Sequence, residues 1–184
     1  MSITLVAAIA KNRAIGKNNK LIWRNKDDMA RFVALTSGKK DSWRFYPAAE
    51  ENTIPKKNFI VMGRKTWESI PAKFRPLENR VNVVITRQLE YQVPEGVLTF
   101  DSIVRACAEL EERGNIWIIG GGEIYSSALP LADILELTEI DHDIEGDVFF
   151  PNIQPTEWEK IAGYMPTGKD IDYAFNTYER RAKV

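Results

Sequence analysis

The chain alternates short apolar runs with polar segments that contain glycine or proline. An apolar run of four to eight residues is typical of a strand that is buried on both faces of a sheet. Runs of this kind, with weaker alternating patterns late in the chain, predict strands at residues 3–10, 59–62, 81–86, 97–100, 116–119, 134–140, 148–150 and 173–178.

Apolar residues at helical spacing follow several of these strands. Met29, Phe32 and Val33 form one such stripe behind two acidic residues, which favour a helix start because they oppose its positive end. The spacing predicts helices at residues 27–35, around residues 66–70, from about residue 102 to a closing Gly114, and at residues 125–129 before Pro130.

Three segments are predicted to lack regular structure. Residues 11–20 and 71–79 are interpreted as loops, and the polar residues 37–57 as a surface insertion. Repeated strand-then-helix units favour a largely parallel sheet with helices on both faces. Because the last third has few helix signals, we expect an antiparallel hairpin to complete an α/β fold.

Composition limits the chemistry. The 184 residues fit one domain. Lys and Arg number 25 and Asp and Glu 26, a balance that argues against a partner bound mainly by charge, such as nucleic acid or a membrane surface. With one Cys and one His we expect no internal disulfide, a reducing and therefore cytoplasmic compartment, and no metal site. The apolar run at residues 3–10 is too short to span a bilayer.

Three predicted strands end in groups suited to phosphate. Residues 120–122 are Gly-Gly-Gly before a helix, residues 63–66 are Gly-Arg-Lys-Thr, and residues 86–87 are Thr-Arg. Glycine permits close backbone approach, and a helix start offers free N–H donors. Each motif alone is equally compatible with a tight turn or with solvated basic side chains. Together, at one edge of a parallel sheet, they favour a ligand with several phosphates, and the cations favour NADP over NAD.

Two charged residues are candidates for substrate contacts. Asp28 lies in the most aromatic part of the N-terminal region, where a carboxylate could bind paired N–H groups, although its position alone favours a helix-start acid. Arg80 could hold a carboxylate or be a surface arginine. His142 is interpreted as a loop residue and Cys107 as a buried core residue.

Seven ordered motifs carry a resemblance to a known family. They are VAAIAKNRAIG at residues 6–16, W-x4-D-x3-F at 23–32, VMGRKTWESIP at 61–71, RPLENRVNVVITR at 75–87, IIGGGEIY at 118–125, LTEID at 137–141 and EGDVFFP at 145–151. In their order and spacing the chain resembles the dihydrofolate reductases over nearly its full length.

The resemblance implies a fold and an activity. It implies one domain over residues 1–184, with adenosine-binding and loop subdomains that share a mixed, mostly parallel eight-stranded sheet. The reaction would be NADPH-dependent reduction of 7,8-dihydrofolate to tetrahydrofolate, which supports one-carbon metabolism and thymidylate, purine and glycine synthesis. Hydride would pass to the pterin C6 and a proton to N5. A cis peptide is implied between Gly120 and Gly121. The partners implied are dihydrofolate and antifolates such as methotrexate and trimethoprim, bound to a monomer.

The resemblance also assigns roles to individual residues. Asp28 would be the catalytic acid, Thr138 would hydrogen-bond near it, partly through water, and Leu21 and Trp23 would lie at the end of a mobile loop. The residues implied for substrate binding are Val6, Ala8, Asp28, Phe32, Ser69, Ile70, Leu77, Arg80, Ile119, Tyr125 and Thr138. Those implied for the cofactor are Ala8, Ile15, Gly16, Gly63, Arg64, Lys65, Thr66, Ile85, Thr86, Arg87, Ile119, Gly120, Gly121, Gly122, Glu123, Ile124 and Tyr125.

One departure and two alternatives remain open at this stage. Ile22 stands where the family usually has proline, which removes a rigid residue beside the closing loop. A pyrimidine reductase of riboflavin synthesis would share the fold and NADPH, although Asp28, Phe32 and Arg80 together favour folate. A catalytically silent binding module is the second alternative. No thymidylate synthase domain is expected on the chain.

Overall fold

A computed structural model describes residues 2–37, 57–167 and 172–182. Within these ranges the strands are β1 (Ile3–Ala10), β2 (Ala14–Lys17), β3 (Lys20–Leu21), β4 (Lys57–Gly63), β5 (Val81–Ile85), β6 (Leu98–Phe100), β7 (Gly114–Ile118), β8 (Ile134–Ile140), β9 (Val148–Phe149), β10 (Trp158–Tyr164) and β11 (Tyr173–Arg180). The α-helices are α1 (Lys26–Ser37), α2 (Arg64–Ser69), α3 (Ile103–Leu110) and α4 (Gly122–Ala128). Short 3-10 turns lie at Ala72–Phe74, Glu111–Arg113 and Leu129–Leu131.

The main sheet has eight strands in the order β10-β11-β8-β1-β7-β4-β5-β6. The six strands from β8 to β6 in this order pair in parallel, and β11 runs antiparallel to β8 and to β10. The predicted α/β class, the parallel sheet and the C-terminal antiparallel hairpin are therefore confirmed. Because parallel strands end at one edge of a sheet, their carboxyl ends define where a ligand can bind.

Helices cover both faces of the sheet, as its apolar strands require. In β4, Phe59 and Val61 pack in the core cluster that contains residues of α3 and α4. Ile60 and Met62 point to the other face and pack in the cluster that contains Trp67 of α2. Successive side chains of a strand face opposite ways, so an uninterrupted apolar run matches a strand with cover on both sides.

The segment predicted as a loop at residues 11–20 contains a small β-hairpin, so that prediction was wrong. β2 and β3 pair in antiparallel register around Asn18 and Asn19, which both have positive φ, at 51° and 59°. A two-residue hairpin turn needs left-handed backbone at both positions, and asparagine tolerates it. β9 pairs with the other side of β2 and forms a second sheet of three strands.

Gly114 does not close a helix, contrary to the sequence interpretation. Its φ of 167° is extended, and it begins β7 beside Lys57 of β4. A Cβ atom on Gly114 would lie 2.0 Å from the Lys57 carbonyl oxygen. Close approach of two strands, rather than a helix cap, explains the glycine.

The other sequence-based expectations concern the last strands, the insertion, and the environments of Cys107 and His142. The strand β10 was not predicted individually, because most of its residues are exposed and lack an apolar repeat. Most of the insertion predicted at residues 37–57 lies outside the described residues. Cys107 is buried, and His142 is partly exposed beside Asp172. In the described part of the chain, no helix is both long and apolar enough to cross a membrane.

Candidate active site

The candidate site lies where parallel strands end, beside the start of α1. β1 and β8 run side by side, with Ala8 opposite Thr138. On the other side of β1, the chain that leaves β7 reaches Gly120, whose carbonyl oxygen accepts a hydrogen bond of 2.7 Å from the N–H of Gly63 at the end of β4. The sheet thus brings together residues that are far apart in the sequence.

Asp28 is held at this edge by hydrogen bonds to its backbone N–H and to its side-chain carboxylate. Asn25 caps the helix, since its side-chain oxygen accepts from the N–H groups of Asp27 and Asp28 at 2.7 and 3.3 Å. The Thr138 hydroxyl donates directly to the Asp28 carboxylate at 2.5 Å. Burial raises the pKa of Asp28, while the Thr138 hydrogen bond and the charge of Arg31 act in the opposite direction. Asp28 is therefore a partly buried acid, and its burial disfavours the ionised form of the carboxyl group.

Aromatic and apolar side chains lie on α1 and on the chain just before it, close to Asp28. Phe32 lies one helical turn further on α1 and, like Ile70, Leu77 and Ile119, packs against the buried apolar cluster around Trp67. Trp23 meets the ring of Tyr173 edge-on, with 5.2 Å between centroids. An apolar cleft with one carboxylate suits a flat ring that carries N–H donors.

Leu21 is 59% exposed, at the end of the β2–β3 hairpin. Met29 is 47% and Phe74 56% exposed. Leu89, Val104 and Met165 are exposed as well, so exposure by itself does not distinguish this region.

Arg80 lies beside the far end of α1, where it contacts Thr36, and we call the region between Asp28 and Arg80 the cleft. Its Nε donates to the Glu78 carbonyl oxygen at 2.9 Å and its Nη1 to the Thr36 hydroxyl at 2.7 Å, while the guanidinium lies over Phe32 at 5.8 Å. Among the described residues no carboxylate forms an ion pair with it, and burial lowers its pKa. A partly buried guanidinium without an acid is suited to a carboxylate from a ligand.

The three glycines after β7 have different environments. Gly120 has a φ of 101°, its peptide bond to Gly121 is cis as the resemblance implies, and a Cβ atom on it would lie 2.6 Å from the Tyr125 ring. A Cβ on Gly122 would lie 2.7 Å from Val148 of β9. Gly121 is less crowded, since a Cβ there would lie 3.4 Å from the Thr66 hydroxyl. Tight packing thus accounts for two of them, and Gly121 opens toward the start of α2.

Cations gather at the ends of β4 and β5. Arg64 begins α2 and donates to Glu68 at 3.0 Å, and Glu68 also accepts from Tyr91. Lys65 and Arg87 are exposed, and in the described ranges neither forms an ion pair. The anion site predicted from the sequence therefore contains two free cations and one that is already bound to an acid.

The other predicted residues lie on the same strand ends or on the loop beside them. Tyr125 is buried and donates to the Val6 carbonyl oxygen at 2.6 Å, so its hydroxyl is already bound to the protein. Glu123 and Ser69 are exposed, and Ser69 donates to the Thr66 carbonyl oxygen at 2.7 Å. The buried or partly buried members of the set are Val6, Ala8, Ile15, Gly16, Gly63, Thr66, Ile70, Leu77, Ile85, Thr86, Ile119 and Ile124.

Comparison with known proteins decides the family. The model of the family described as dihydrofolate reductase matches residues 2–40 and 50–180. The chain belongs to the dihydrofolate reductase family. It is 37% identical to the dihydrofolate reductase of Heliothis virescens and 39% identical to that of Neisseria gonorrhoeae, and the alignments cover 98% and 97% of this chain and 98% of each relative. The structure of Enterococcus faecalis dihydrofolate reductase complexed with NADP(H) and RAB-propyl superimposes with a TM-score of 0.78, at 29% identity, and covers 98% of this chain and 97% of that one.

Four polar residues that contact or neighbour the predicted site residues were not identified from the sequence. Arg31 and Glu136 form a buried ion pair beside Asp28 and Thr138. Thr36 orients Arg80, and Glu68 binds Arg64. Only the spacing of Glu68 four residues after Arg64 was visible in the sequence. The other contacts join residues that are distant along the chain.

Proposed function

We infer that the chain is a working enzyme of the dihydrofolate reductase family, which reduces 7,8-dihydrofolate with NADPH to 5,6,7,8-tetrahydrofolate. The observation that carries this inference is Asp28: a carboxylate under apolar cover, fixed by Thr138 at the carboxyl ends of the parallel strands. A silent binding module has no need of a buried acid, whose ionisation is unfavourable.

We assign to Asp28 the recognition of the pterin ring. Its ionised carboxylate accepts hydrogen bonds from the 2-amino group and N3 of the pterin, and its charge favours the ring protonated at N5. As the family resemblance implies, a water molecule delivers that proton to N5. Bound NADPH supplies the hydride that reduces C6. The residues of the cleft therefore act by alignment and electrostatics, and no covalent intermediate with the protein is needed.

The fit of NADPH is supported by the strand ends. Lys65 and Arg87, which form no ion pair with any residue that the structure describes, offer positive charges for the phosphates of the cofactor, and Thr86 offers a hydroxyl. Gly121 caps the start of α4, and the least crowded side of its Cα faces the Thr66 hydroxyl, so we assign the pyrophosphate to this point of the turn. We assign the remaining cofactor-binding role to the hairpin at Ile15 and Gly16.

The substrate's orientation follows from Arg80. We assign to it the α-carboxylate of the glutamate part of dihydrofolate, with Ser69 and Leu77 beside the aminobenzoyl ring. Support comes from the partly buried guanidinium, which Thr36 and the Glu78 carbonyl orient and which lacks an acidic partner among the described residues. With Asp28 at one end and Arg80 at the other, the pterin and the glutamate each have one charged partner.

The decisive experiment follows NADPH oxidation by its nicotinamide absorbance with and without dihydrofolate. We expect turnover only with dihydrofolate, and Asp28→Asn should lose about 10²–10⁴-fold of it at neutral pH, because positioned acid–base groups contribute about that much. The variant should still bind NADPH. Its residual activity should rise toward acid, where more substrate is protonated before it binds.

Two results would contradict the assignment. Oxidation of NADPH with a ribosylamino pyrimidine but not with dihydrofolate would identify a reductase of riboflavin synthesis. Unchanged turnover of Asp28→Asn at pH 7 would remove Asp28 from the mechanism.

We propose further that the protein is a cytoplasmic monomer. The Cys107 thiol is free and buried, as suits a reducing compartment. Sedimentation velocity at micromolar concentration should give a mass of one chain, with and without NADPH. A stable dimer would contradict the proposal.

A further inference from the structure

Two polar contacts join α1 to β8 beside the cleft. Asp28 accepts from Thr138, and three residues further along α1, Arg31 donates to Glu136. Residues three apart share one face of a helix, and residues two apart, such as Glu136 and Thr138, share one face of a strand. The two contacts are therefore neighbouring cross-links between the same helix and the same strand.

The second cross-link is a deeply buried ion pair. Arg31 is 5% and Glu136 4% exposed. The Arg31 guanidinium lies 4.9 Å from the centre of the Phe175 ring, and Glu136 also accepts from the Thr177 hydroxyl at 2.9 Å. Burying both charges costs their hydration, and apolar residues in place of such a pair are often equally stabilising. Stability alone does not account for an ion pair at this position.

We propose that Arg31 is a positioning residue for the reaction: paired with Glu136, it fixes the Asp28 carboxylate at the pterin and supplies a positive charge within electrostatic reach of it. The inference rests on the role proposed for Asp28. It assigns to the Arg31–Glu136 pair a part in catalysis, which acts through Asp28 and without contact with the substrate.

The electrostatics around Asp28 support this role. Burial raises the pKa of Asp28, and among the described residues Arg31 is the charged group that acts to lower it. Without that charge, burial would be opposed by the Thr138 hydrogen bond alone, and less of the carboxyl would be ionised when substrate arrives. Because the ionised form binds the pterin, the charge on Arg31 bears directly on the reaction.

Other ionisable groups near Asp28 come from each element packed around it. Asp27 on α1 is exposed and accepts from the Tyr173 hydroxyl of β11 at 3.1 Å. Tyr125 of α4 is buried, and both burial and the Asp28 charge raise its pKa, so it stays neutral. The pKa of Tyr173 is raised as well, chiefly by burial. Glu136 of β8 is an acid that is bound to Arg31.

The test compares two single variants that break the same ion pair. Arg31→Met removes a positive charge near Asp28 and should raise its pKa, whereas Glu136→Gln removes a negative charge and should lower it. The pKa is read from the pH titration of the Asp28 Cγ resonance in ¹³C-labelled protein, assigned with Asp28→Asn. A pair whose charges do not reach Asp28 predicts the same direction of change in both variants, or none, and the rate of the double variant then tests the part in catalysis.

A double variant separates catalysis from folding. Arg31→Met with Glu136→Leu leaves no unpaired buried charge and should fold normally. It should still show a raised Asp28 pKa, and its kcat/KM for dihydrofolate should fall about tenfold to a hundredfold, since small displacements of a positioning group have effects of that size. NADPH affinity should not change. Arg31→Lys, which keeps the charge, should restore part of the rate.

Arg105→Met is the matched control. It removes the same charge from an exposed ion pair on α3 and should leave the Asp28 titration and the rate unchanged. Opposite pKa shifts in the two single variants support the inference, and if those variants fail to fold, the double variant decides alone. Wild-type titration and kcat/KM in the double variant would overturn it. If Asp28→Asn itself retained full turnover, the failure would lie in the proposed function and not in the ion pair.

Discussion

Asp28 and Arg80, the two charged residues at opposite ends of the cleft, are both partly buried, and neither forms an ion pair within the described ranges. Asp28 has a threonine hydroxyl as its direct partner, and Arg80 has a hydroxyl and a carbonyl oxygen. Burial of a charge that has no oppositely charged partner costs free energy, so the ionised form of each group destabilises the protein when no ligand is bound. A ligand with a complementary charge at each end would offset this cost at both residues. Ligand binding at Asp28 and Arg80 is therefore coupled to the stability of the fold.

The raised pKa of Asp28 has a consequence for stability. In the folded protein the carboxyl binds its proton more tightly than in the unfolded chain, so its contribution weakens folding as pH rises from about 3.9, the ordinary value, through the raised one. Asp28→Asn removes this effect. Measured by urea unfolding of the unliganded protein, the stability of the variant relative to wild type should therefore increase from acid to neutral pH.

Asp101 gives the control of opposite sign. A hydrogen bond from Arg105 lowers the pKa of Asp101, so Asp101→Asn should lose stability relative to wild type as pH rises. If the relative stability of Asp28→Asn were constant or fell over the same range, the environment described for Asp28 would be wrong.

Arg80 is tested by substrates with and without the glutamate. Arg80→Leu should raise KM for dihydrofolate strongly and leave kcat nearly unchanged, because the contact is far from the hydride path and is the same in ground and transition states. A pterin that lacks the glutamate should be reduced equally well by both proteins. Arg80→Lys should restore binding only in part, since an ammonium cannot grip a carboxylate through two parallel hydrogen bonds. Equal losses on both substrates would make Arg80 structural.

At the scale of elements, the cofactor side depends on strands that end together. β4 and β5 are parallel neighbours, with Gly63 opposite Ile85, so the residues that follow them, Arg64 and Arg87, emerge at one edge. Arg64 is already bound by Glu68 on its own helix. A phosphate at this edge must therefore compete with Glu68 for Arg64 but has free access to Arg87.

Arg64→Ala combined with Arg87→Ala should weaken binding of NADPH much more than binding of NADH. Each charge-assisted contact to the ribose phosphate contributes about 1.5–3 kcal/mol, and NADH lacks that phosphate. Cofactor dissociation constants from fluorescence titration measure the difference. Lys160→Ala, which removes an exposed cation from β10, should affect neither. An equal loss for both cofactors would show that the two arginines have another role.

For the whole molecule, one sheet links all parts of the site. β1, β4, β7 and β8 belong to the same hydrogen-bonded sheet, and a single core cluster contains both Phe59 and Trp158. We propose on this basis that residues 1–184 form one domain, whose adenosine-binding and loop subdomains share the sheet and do not fold separately.

One domain predicts one cooperative unfolding transition. Far-ultraviolet circular dichroism and tryptophan fluorescence should give coincident thermal curves without ligand, since the five Trp residues are spread over the chain. NADPH should move both curves to higher temperature by the same amount. Separate transitions, or a shift in only one signal, would indicate two units that fold independently.

The apolar strands, the α/β class and the family motifs could all be predicted from the amino-acid sequence. Strands such as β1 can be predicted from their apolar runs, because a strand that is buried on both faces is apolar at nearly every position. The hairpin at Asn18 and Asn19 was missed although its turn residues are visible, since its strands have only four and two residues and form no apolar run. Gly114 was misinterpreted because its requirement comes from Lys57, which lies elsewhere in the sequence.

The contacts and pKa shifts of the charged groups, by contrast, are determined only when the helices and strands pack together. From position alone Asp28 was better interpreted as a helix-start acid; the family resemblance placed Thr138 near it, and the structure shows a direct hydrogen bond between these residues, which are 110 positions apart. Arg31, Glu136 and Thr36 gave no signal in the sequence, because a polar residue becomes a buried partner only when another element covers it. Local patterns encode burial and periodicity, whereas hydrogen bonds and pKa shifts depend on distances between elements, which are fixed only when the sheet and α1 pack together.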